Sequence, residues 1–228
     1  MTNSEQQLFD ACIEEPSLIF TMIKNGHYEV IEKLIIDNEV NVNLVDSLGN
    51  DVVTRLLKAH QYDLVEQLMK KKNWNVNHKN IEGDTFGHVL AKDNSVSAVK
   101  IVEQLTKKKN YMPNIKNNRG ETILDRALDT NYLCTIFKIL EDARFNNIDI
   151  FSFKHLFNLC IKNREYGKYS KLNNLKIIVD SLEKKDLDPS MSSLIHIISN
   201  NIELIKNGIM NNDSSMLESL INSHILVN

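Results

Sequence analysis

Proline and glycine are scarce in this chain of 228 residues, which contains three prolines and seven glycines. Their scarcity, together with many amphipathic runs of helix-forming residues, argues against a sheet protein and predicts an all-α protein with short turns. No stretch rich in glycine, proline or serine interrupts the apolar pattern between Leu8 and Val227. Because a linker is therefore missing, the sequence predicts one continuous domain over residues 1–228.

Cysteine is equally rare. Cys12, Cys134 and Cys160 form no CxxC pair, which argues against a disulfide framework and a zinc site and favours a reducing compartment. We expect Cys12 and Cys160 to be small buried residues. The N-terminus lacks the basic and apolar segments of a signal peptide, and no apolar run reaches the ~18 residues of a membrane span. The expected location is the cytoplasm, the nucleus or both, with no membrane partner.

A repeated segment is the clearest feature that is present. Residues 64–77 recur 37 positions later as residues 101–114, and an earlier copy, residues 30–43, precedes the first by 34 positions. Beyond each copy stand an Asp or Asn and, three residues later, a glycine: Asp46 and Gly49, Asn80 and Gly83, Asn117 and Gly120. This spacing predicts a turn in which the glycine has a positive φ.

Helical patterns surround these turns, and repeats of this length are typical of stacked helical units. Short apolar helices are predicted after the turns, at residues 52–57, 86–91 and 123–128. The first and last helices, about residues 5–13 and 214–223, depart from the pattern and are predicted to cap the stack. The side chains expected to pack between neighbouring repeats are Val65, Leu68, Val102, Leu105, Ile136 and Ile139.

Residues 26–35 resemble the glycine-histidine turn and second helix of the ankyrin repeat family. Residues 117–124 resemble that family's hairpin and TPLH segment, although Asp125 stands where histidine is usual, and residues 83–88 keep the threonine and the histidine. The resemblance covers residues 26–128 most clearly. It implies an ankyrin-type solenoid of about six repeats, closing near residues 43, 77, 114, 151, 190 and 228, with insertions at residues 94–97 and 163–172.

The resemblance also implies a function without catalysis. Such a protein is expected to be an adaptor, assembly factor or inhibitor, monomeric until its concave face and turn tips bind another protein. The residues expected to contact that partner are Leu48, Arg55, Lys58, Lys79, Ile81, Val89, Lys92, Lys116, Arg119 and Arg126. Because this set is mostly basic, an acidic segment on the partner is expected. The alternative is that these are ordinary solvated turn residues.

A second hypothesis is binding of single-stranded nucleic acid or another anion. Two basic clusters each stand beside an aromatic residue: Lys70, Lys71 and Lys72 beside Trp74, and Lys107, Lys108 and Lys109 beside Tyr111. Basic grooves with aromatic platforms bind single strands. However, the lysines close a helix, where cations interact favourably with the last carbonyls. The net charge of −3 also opposes a nucleic-acid surface.

No catalytic residues, metal ligands or cofactors are predicted, since no nucleophile with a base, metal cluster or phosphate loop can be assembled from the sequence. His88 is expected to tie adjacent turns by hydrogen bonds. His155, His196 and His224 are expected to be packed histidines. Asp10 and Glu14, four residues apart on one helix, are expected to form a solvated helix face and no catalytic dyad.

Overall fold

The computed structural model describes residues 2–162, 171–200 and 219. The chain is mostly helical, which confirms the all-α prediction, and the one β-bridge among the described residues joins Val45 to Asp51. It divides into an N-terminal unit, Met1–Ile123, and a C-terminal unit, Leu124–Asn228. The helices are α1 Asn3–Glu14, α2 Leu18–Asn25, α3 Tyr28–Ile36, α4 Val52–Lys58, α5 Tyr62–Met69, α6 Phe86–Leu90, α7 Val96–Thr106, α8 Ile123–Leu128, α9 Leu133–Leu140, α10 Ile150–Lys162, α11 Lys171–Leu182 and α12 Pro189–Asn200.

The N-terminal unit is built from three helix pairs, α2 with α3, α4 with α5 and α6 with α7. The first helices of the pairs contact one another in series, and so do the second helices. Helix α1 packs on α2 and α3, and its N-terminus is held by a capping box between Thr2 and Glu5. The four repeat positions predicted for this core, Val65, Leu68, Val102 and Leu105, are fully buried.

Three turns with the predicted Asp or Asn and glycine follow the three pairs, one after each. The glycines Gly49, Gly83 and Gly120 have φ values of +72°, +75° and +78°, a region in which glycine has no steric penalty. In each turn the preceding Asp or Asn accepts two backbone N–H groups through its side-chain oxygen; for Asn80 these come from Glu82 and Asp84, both at 3.0 Å. Equivalent bonds form at Asp46 and at Asn117.

Backbone hydrogen bonds join these turns in series. The N–H of Ile81 donates to the carbonyl of Leu48 at 3.2 Å, and the N–H of Asn118 donates to that of Glu82 at 3.0 Å. Two asparagine side chains also link neighbouring copies of the repeat. Asn43 bonds the backbone of residues 73 and 75, and Asn77 bonds that of residues 110 and 112. The repeated sequence therefore specifies the contacts between copies as well as the shape of each copy.

In the C-terminal unit, α11 packs against α9, α10 and α12, and the predicted core residues Ile136 and Ile139 are buried. The predicted closure at residue 151 is wrong, because Phe151 lies in the first turn of α10 and is 77% exposed. Asp149 begins this helix by accepting the N–H of Ser152 at 2.8 Å, so the chain is already helical where the closing turn was predicted. The closure predicted at residue 190 likewise falls inside α12.

Several smaller expectations can be compared with the structure. Cys12 is buried, as predicted, and burial raises the pKa of its thiol. Asp10 and Glu14 are exposed, as predicted, whereas the prediction that His155 and His196 are packed is wrong, because both are exposed. The side chains of Cys160 and His224, the cap at 214–223, the closure at 228 and most of the insertion at 163–172 lie outside the described residues. None of the described helices is long and apolar enough to span a membrane.

Candidate protein-binding surface

The turn row consists of the three Asx–Gly turns, residues 45–51, 79–85 and 116–122. Leu48 and Ile81 stand at the tips of its first two turns and are 49% and 62% exposed. Because the N–H of Ile81 bonds the carbonyl of Leu48, these two apolar residues are neighbours. The exposure predicted for both is confirmed, and the turn row presents an apolar pair to solvent.

Buried polar side chains hold the turn row in place. The His88 ring is 1% exposed, accepts the Thr85 N–H at Nδ1 at 3.2 Å, and bonds the Glu121 carbonyl at Nε2 at 3.0 Å. This geometry confirms that His88 ties adjacent turns. His78, which the sequence analysis did not consider, makes the same kind of link through Nε2 to the carbonyl of Gly49 at 2.8 Å. In the third turn, Asp125 replaces the histidine and accepts the Ser152 hydroxyl at 2.6 Å.

Most cations of the predicted surface already have partners in this chain. Arg55 pairs with Asp46 at 3.3 Å, and Arg119 pairs with Glu121 at 3.2 Å. The ammonium group of Lys58 donates to the Asn50 side chain at 2.8 Å. That of Lys79 donates to a backbone carbonyl, Lys116 O, at 2.9 Å. The two ion pairs with carboxylates reduce the basic field that the sequence predicts. Of the other predicted residues, Lys92 and Lys116 are exposed and Val89 is half-buried.

Arg126 does not belong to an accessible surface, and the prediction that it lines the binding face is wrong. Its side chain is 3% exposed, although it occupies the same position in α8 that Arg55 occupies in α4. The reason is that α8 has six residues, of which all but Asp125 are buried, so the helix has almost no solvent face. Periodicity alone predicts exposure at such a position only when one side of the helix remains open.

No protein-family model matches the sequence, and neither does any curated protein. Among the described residues, no group of three or more His, Cys, Asp or Glu side chains could hold a metal ion. The chemistry of the surface must therefore be inferred from its own side chains.

The aromatic residues of the lysine clusters are not platforms for bases. Trp74 and Tyr111 are 3% and 4% exposed. The indole N–H of Trp74 donates to the Asp51 carboxylate at 2.8 Å, and its ring meets Phe86 edge-on at 5.1 Å. Base stacking requires an open aromatic face, so neither ring can stack on a nucleotide in this structure.

The middle lysine of each cluster contacts the helix pair before its own. Lys71 donates to the carbonyl of Ile35 at 3.5 Å and to the side chain of Asn38. Lys108 donates to the carbonyl of Met69 at 2.5 Å and lies 5.4 Å from the Trp74 ring centroid. Each ammonium group thus interacts with the last carbonyls of the preceding second helix. The sequence predicted that these lysines interact with the last carbonyls of the helix that carries them. The structure places the interaction on the preceding second helix instead.

Lys185 repeats this arrangement in the C-terminal unit. Its ammonium group donates to the Asp142 carbonyl at 2.6 Å and lies 5.8 Å from the Phe145 ring centroid. Burial lowers the pKa of Lys185 to about 8, and the nearby Asp142 carboxylate opposes part of that shift. Burial lowers the pKa of Lys108 as well.

A polar cluster that the sequence analysis missed links the loops after α4 and α6. The Tyr62 hydroxyl donates to the Asp93 carboxylate at 2.7 Å and accepts the Ser95 hydroxyl at 3.0 Å. The exposed ring of His60 approaches the same Tyr62 oxygen at 2.8 Å. Burial raises the pKa of Tyr62. At Asp93, burial acts to raise the pKa, but hydrogen bonds from Tyr62 and Ser95 outweigh it and lower the pKa overall.

Proposed function

We propose that this chain is an ankyrin-type repeat protein that binds another protein without catalysing a reaction. The observation that carries the proposal is the exposed apolar pair Leu48 and Ile81 on adjacent tips of the turn row. Three turns with the same side-chain bonds, joined by cross-turn bonds in one register, support the repeat assignment. The bonds of His88 to Thr85 and Glu121 support it as well.

We expect apolar side chains to contribute more than ion pairs to the affinity of a partner for this surface. The ion pairs of Arg55 and Arg119 occupy those guanidinium groups with carboxylates of the same turns. Exposed ion pairs contribute little to affinity, whereas apolar residues at the centre of an interface contribute more. We therefore expect the partner to place an apolar side chain over Leu48 and Ile81. An acidic residue beside the exposed Lys116 is expected to contribute less. Adaptor, assembly factor and inhibitor are all compatible with such a contact.

The test is a pair of substitutions measured against the partner identified by cross-linking and mass spectrometry from the source cells. Leu48→Ser with Ile81→Ser should weaken binding at least tenfold, on the order of 1.4 kcal/mol, while the thermal melt stays unchanged. Val96→Ser is the matched control, since Val96 is 69% exposed on α7 and lies outside the turn row. Equal affinities of the wild-type and double-variant proteins would contradict the proposal.

The anion-binding alternative is less well supported. Trp74 and Tyr111 are buried, and Lys71 and Lys108 are bonded to backbone carbonyls. Of the six lysines, only Lys70, Lys72 and Lys109 are both exposed and without a bond to another described residue. A gel shift with single-stranded DNA at low and physiological salt separates the two functions, because phosphate-driven binding weakens steeply with salt.

A further inference from the structure

The first turn of the turn row has an open backbone edge. In the second and third turns, the residue two positions before the glycine donates its N–H to the preceding turn, as Ile81 and Asn118 do. The equivalent residue of the first turn is Ser47, and the described residues before it, 2–44, contain no Asx–Gly turn for its N–H to meet. Neither its N–H nor its carbonyl is bonded within the described residues. Ser47 lies in a turn, so this edge offers one free N–H and one free carbonyl group, which can pair with the backbone of another polypeptide.

The side chains around this edge differ from those inside the row. Val45 and Leu48 flank Ser47 and are 43% and 49% exposed. Asn80 and Asn117 donate their amide groups to Asn50 and Asp84 of the preceding turns, but the first turn has Asp46 at the same position. A carboxylate accepts hydrogen bonds only. The edge therefore combines the apolar side chains of Val45 and Leu48 with the Asp46 carboxylate, which accepts hydrogen bonds at the position where the inner turns have an amide donor.

The charge at this end of the N-terminal unit is strongly negative. Residues 2–40 form α1, α2 and α3 and contain eight acidic and two basic residues. Three of these carboxylates, those of Glu14, Glu29 and Glu32, are exposed and have no ionic partner among the described residues. Such a field attracts a positively charged partner and repels an acidic one.

We propose that the open edge at Ser47 binds an extended, basic segment of a partner protein. A backbone carbonyl of the segment accepts the Ser47 N–H, in the register that Leu48 and Glu82 show inside the row. One apolar side chain of the segment covers Val45 and Leu48. Lysine or arginine side chains next to it face the acidic helices. This contact is an addition of backbone to an edge. It shares Leu48 with the surface of the proposed function, but the Ser47 backbone, Val45 and the acidic charge are used here alone.

The test removes one N–H group. Ser47 is the second residue of its turn, where proline is favoured, so Ser47→Pro deletes the donor and keeps the turn. Ser47→Ala keeps the N–H and is the matched control. The probe is a fluorescein-labelled peptide of three alternating Lys-Val pairs, measured by fluorescence anisotropy at low salt. We expect Ser47→Pro to weaken binding about fivefold, as for one net hydrogen bond, and Ser47→Ala to leave it unchanged.

Two further peptides and two further variants complete the test. The Glu-Val peptide should not bind, and the Lys-Gly peptide should bind much more weakly than the Lys-Val peptide. Val45→Lys places a like charge at the edge and should weaken binding even if Ser47→Pro fails to fold. Ile81→Ser should leave this peptide unaffected, which separates the edge from the turn tips. Absence of binding at ~1 mM Lys-Val peptide, or equal binding by Ser47→Pro and Ser47→Ala, overturns the proposal.

Discussion

At the scale of single residues, equivalent glycines differ in their surroundings. Gly83 and Gly120 have almost the same left-handed φ, +75° and +78°. A β-carbon added to Gly83 would lie 2.7 Å from the backbone nitrogen of Asn118, whereas one added to Gly120 meets nothing within 4 Å. The first glycine is therefore required by both conformation and space, and the second by conformation alone.

This difference predicts two sizes of effect. Gly120→Ala should lower the free energy of unfolding by about 1–2 kcal/mol, the cost of a side chain in the left-handed region. Gly83→Ala should cost about 2–4 kcal/mol, because the next turn must also move. Urea denaturation followed by circular dichroism measures both values. If the two variants were equally stable, the close approach of the second and third turns would be wrong.

The sequence predicted local features of the site better than distant ones. The positive φ of the glycines and the exposure of Leu48 depend on residues that are only a few positions apart in a turn, so the local sequence predicts them. The burial of Arg126 depends on how many sides of α8 are covered, and the spacing of residues in the sequence does not predict that number. The bond between Trp74 and Asp51 joins residues 23 positions apart, so the local spacing could not identify the partner of the indole N–H.

At the scale of helices, lysines connect successive pairs. Lys71, Lys108 and Lys185 each place an ammonium group on a carbonyl that follows or ends an earlier helix. The sequence placed Lys71 and Lys108 correctly at helix ends but not on the neighbour's carbonyls, because those contacts span 36 and 39 residues. The closure predicted at residue 151 was wrong for a related reason, since the repeat spacing does not reveal that Asp149 begins α10 by accepting the N–H of Ser152.

Lys108→Met tests this connection. The variant removes the bond to Met69 O and the charge beside Trp74, and it should lower the free energy of unfolding by about 1–2 kcal/mol. The neighbouring Lys109 is exposed, so Lys109→Met should change stability by less than about 0.5 kcal/mol. Chemical denaturation of both variants gives the comparison. A Lys108→Met protein as stable as Lys109→Met would show that the bond contributes nothing.

Lys185 predicts a dependence of stability on pH. Its pKa in the folded chain is about 8, below the ordinary value of 10.5. Between these values the unfolded chain binds more protons, so the free energy of unfolding should rise with pH. The Lys185 contribution between pH ~7.5 and ~9.5 should be about 1–2 kcal/mol.

The measurement is urea denaturation of three proteins across that pH range. Lys185→Met should lack the rise, and Lys184→Met, a change at an exposed neighbour, should keep it. Subtracting the variants from the wild type removes the titration of all other groups. The same pH profile in Lys185→Met and wild type would argue against a buried ammonium group at this position.

At the scale of the whole molecule, the N-terminal unit has a complete core of its own. Its helices pack in two series, and its turns bond to one another and to the loop after α5, as His78 bonds Gly49 and Trp74 bonds Asp51. Repeat proteins depend on contacts between neighbours and can fold in pieces. We predict that residues 1–128, which include all of α8, fold alone into a helical protein with a cooperative melt. Circular dichroism of that fragment is the measurement, and a random-coil spectrum would contradict the prediction.

The side chains of Asn43 and Asn77 have a consequence for how the protein is made. Each bonds backbone that lies 30 to 35 residues farther along the chain. The ribosome synthesises those residues later, at roughly 5–20 residues per second. Each asparagine side chain therefore lacks its bonding partners for a few seconds. Folding during synthesis is therefore expected to trail elongation by one helix pair, with the newest pair always incomplete until the next emerges.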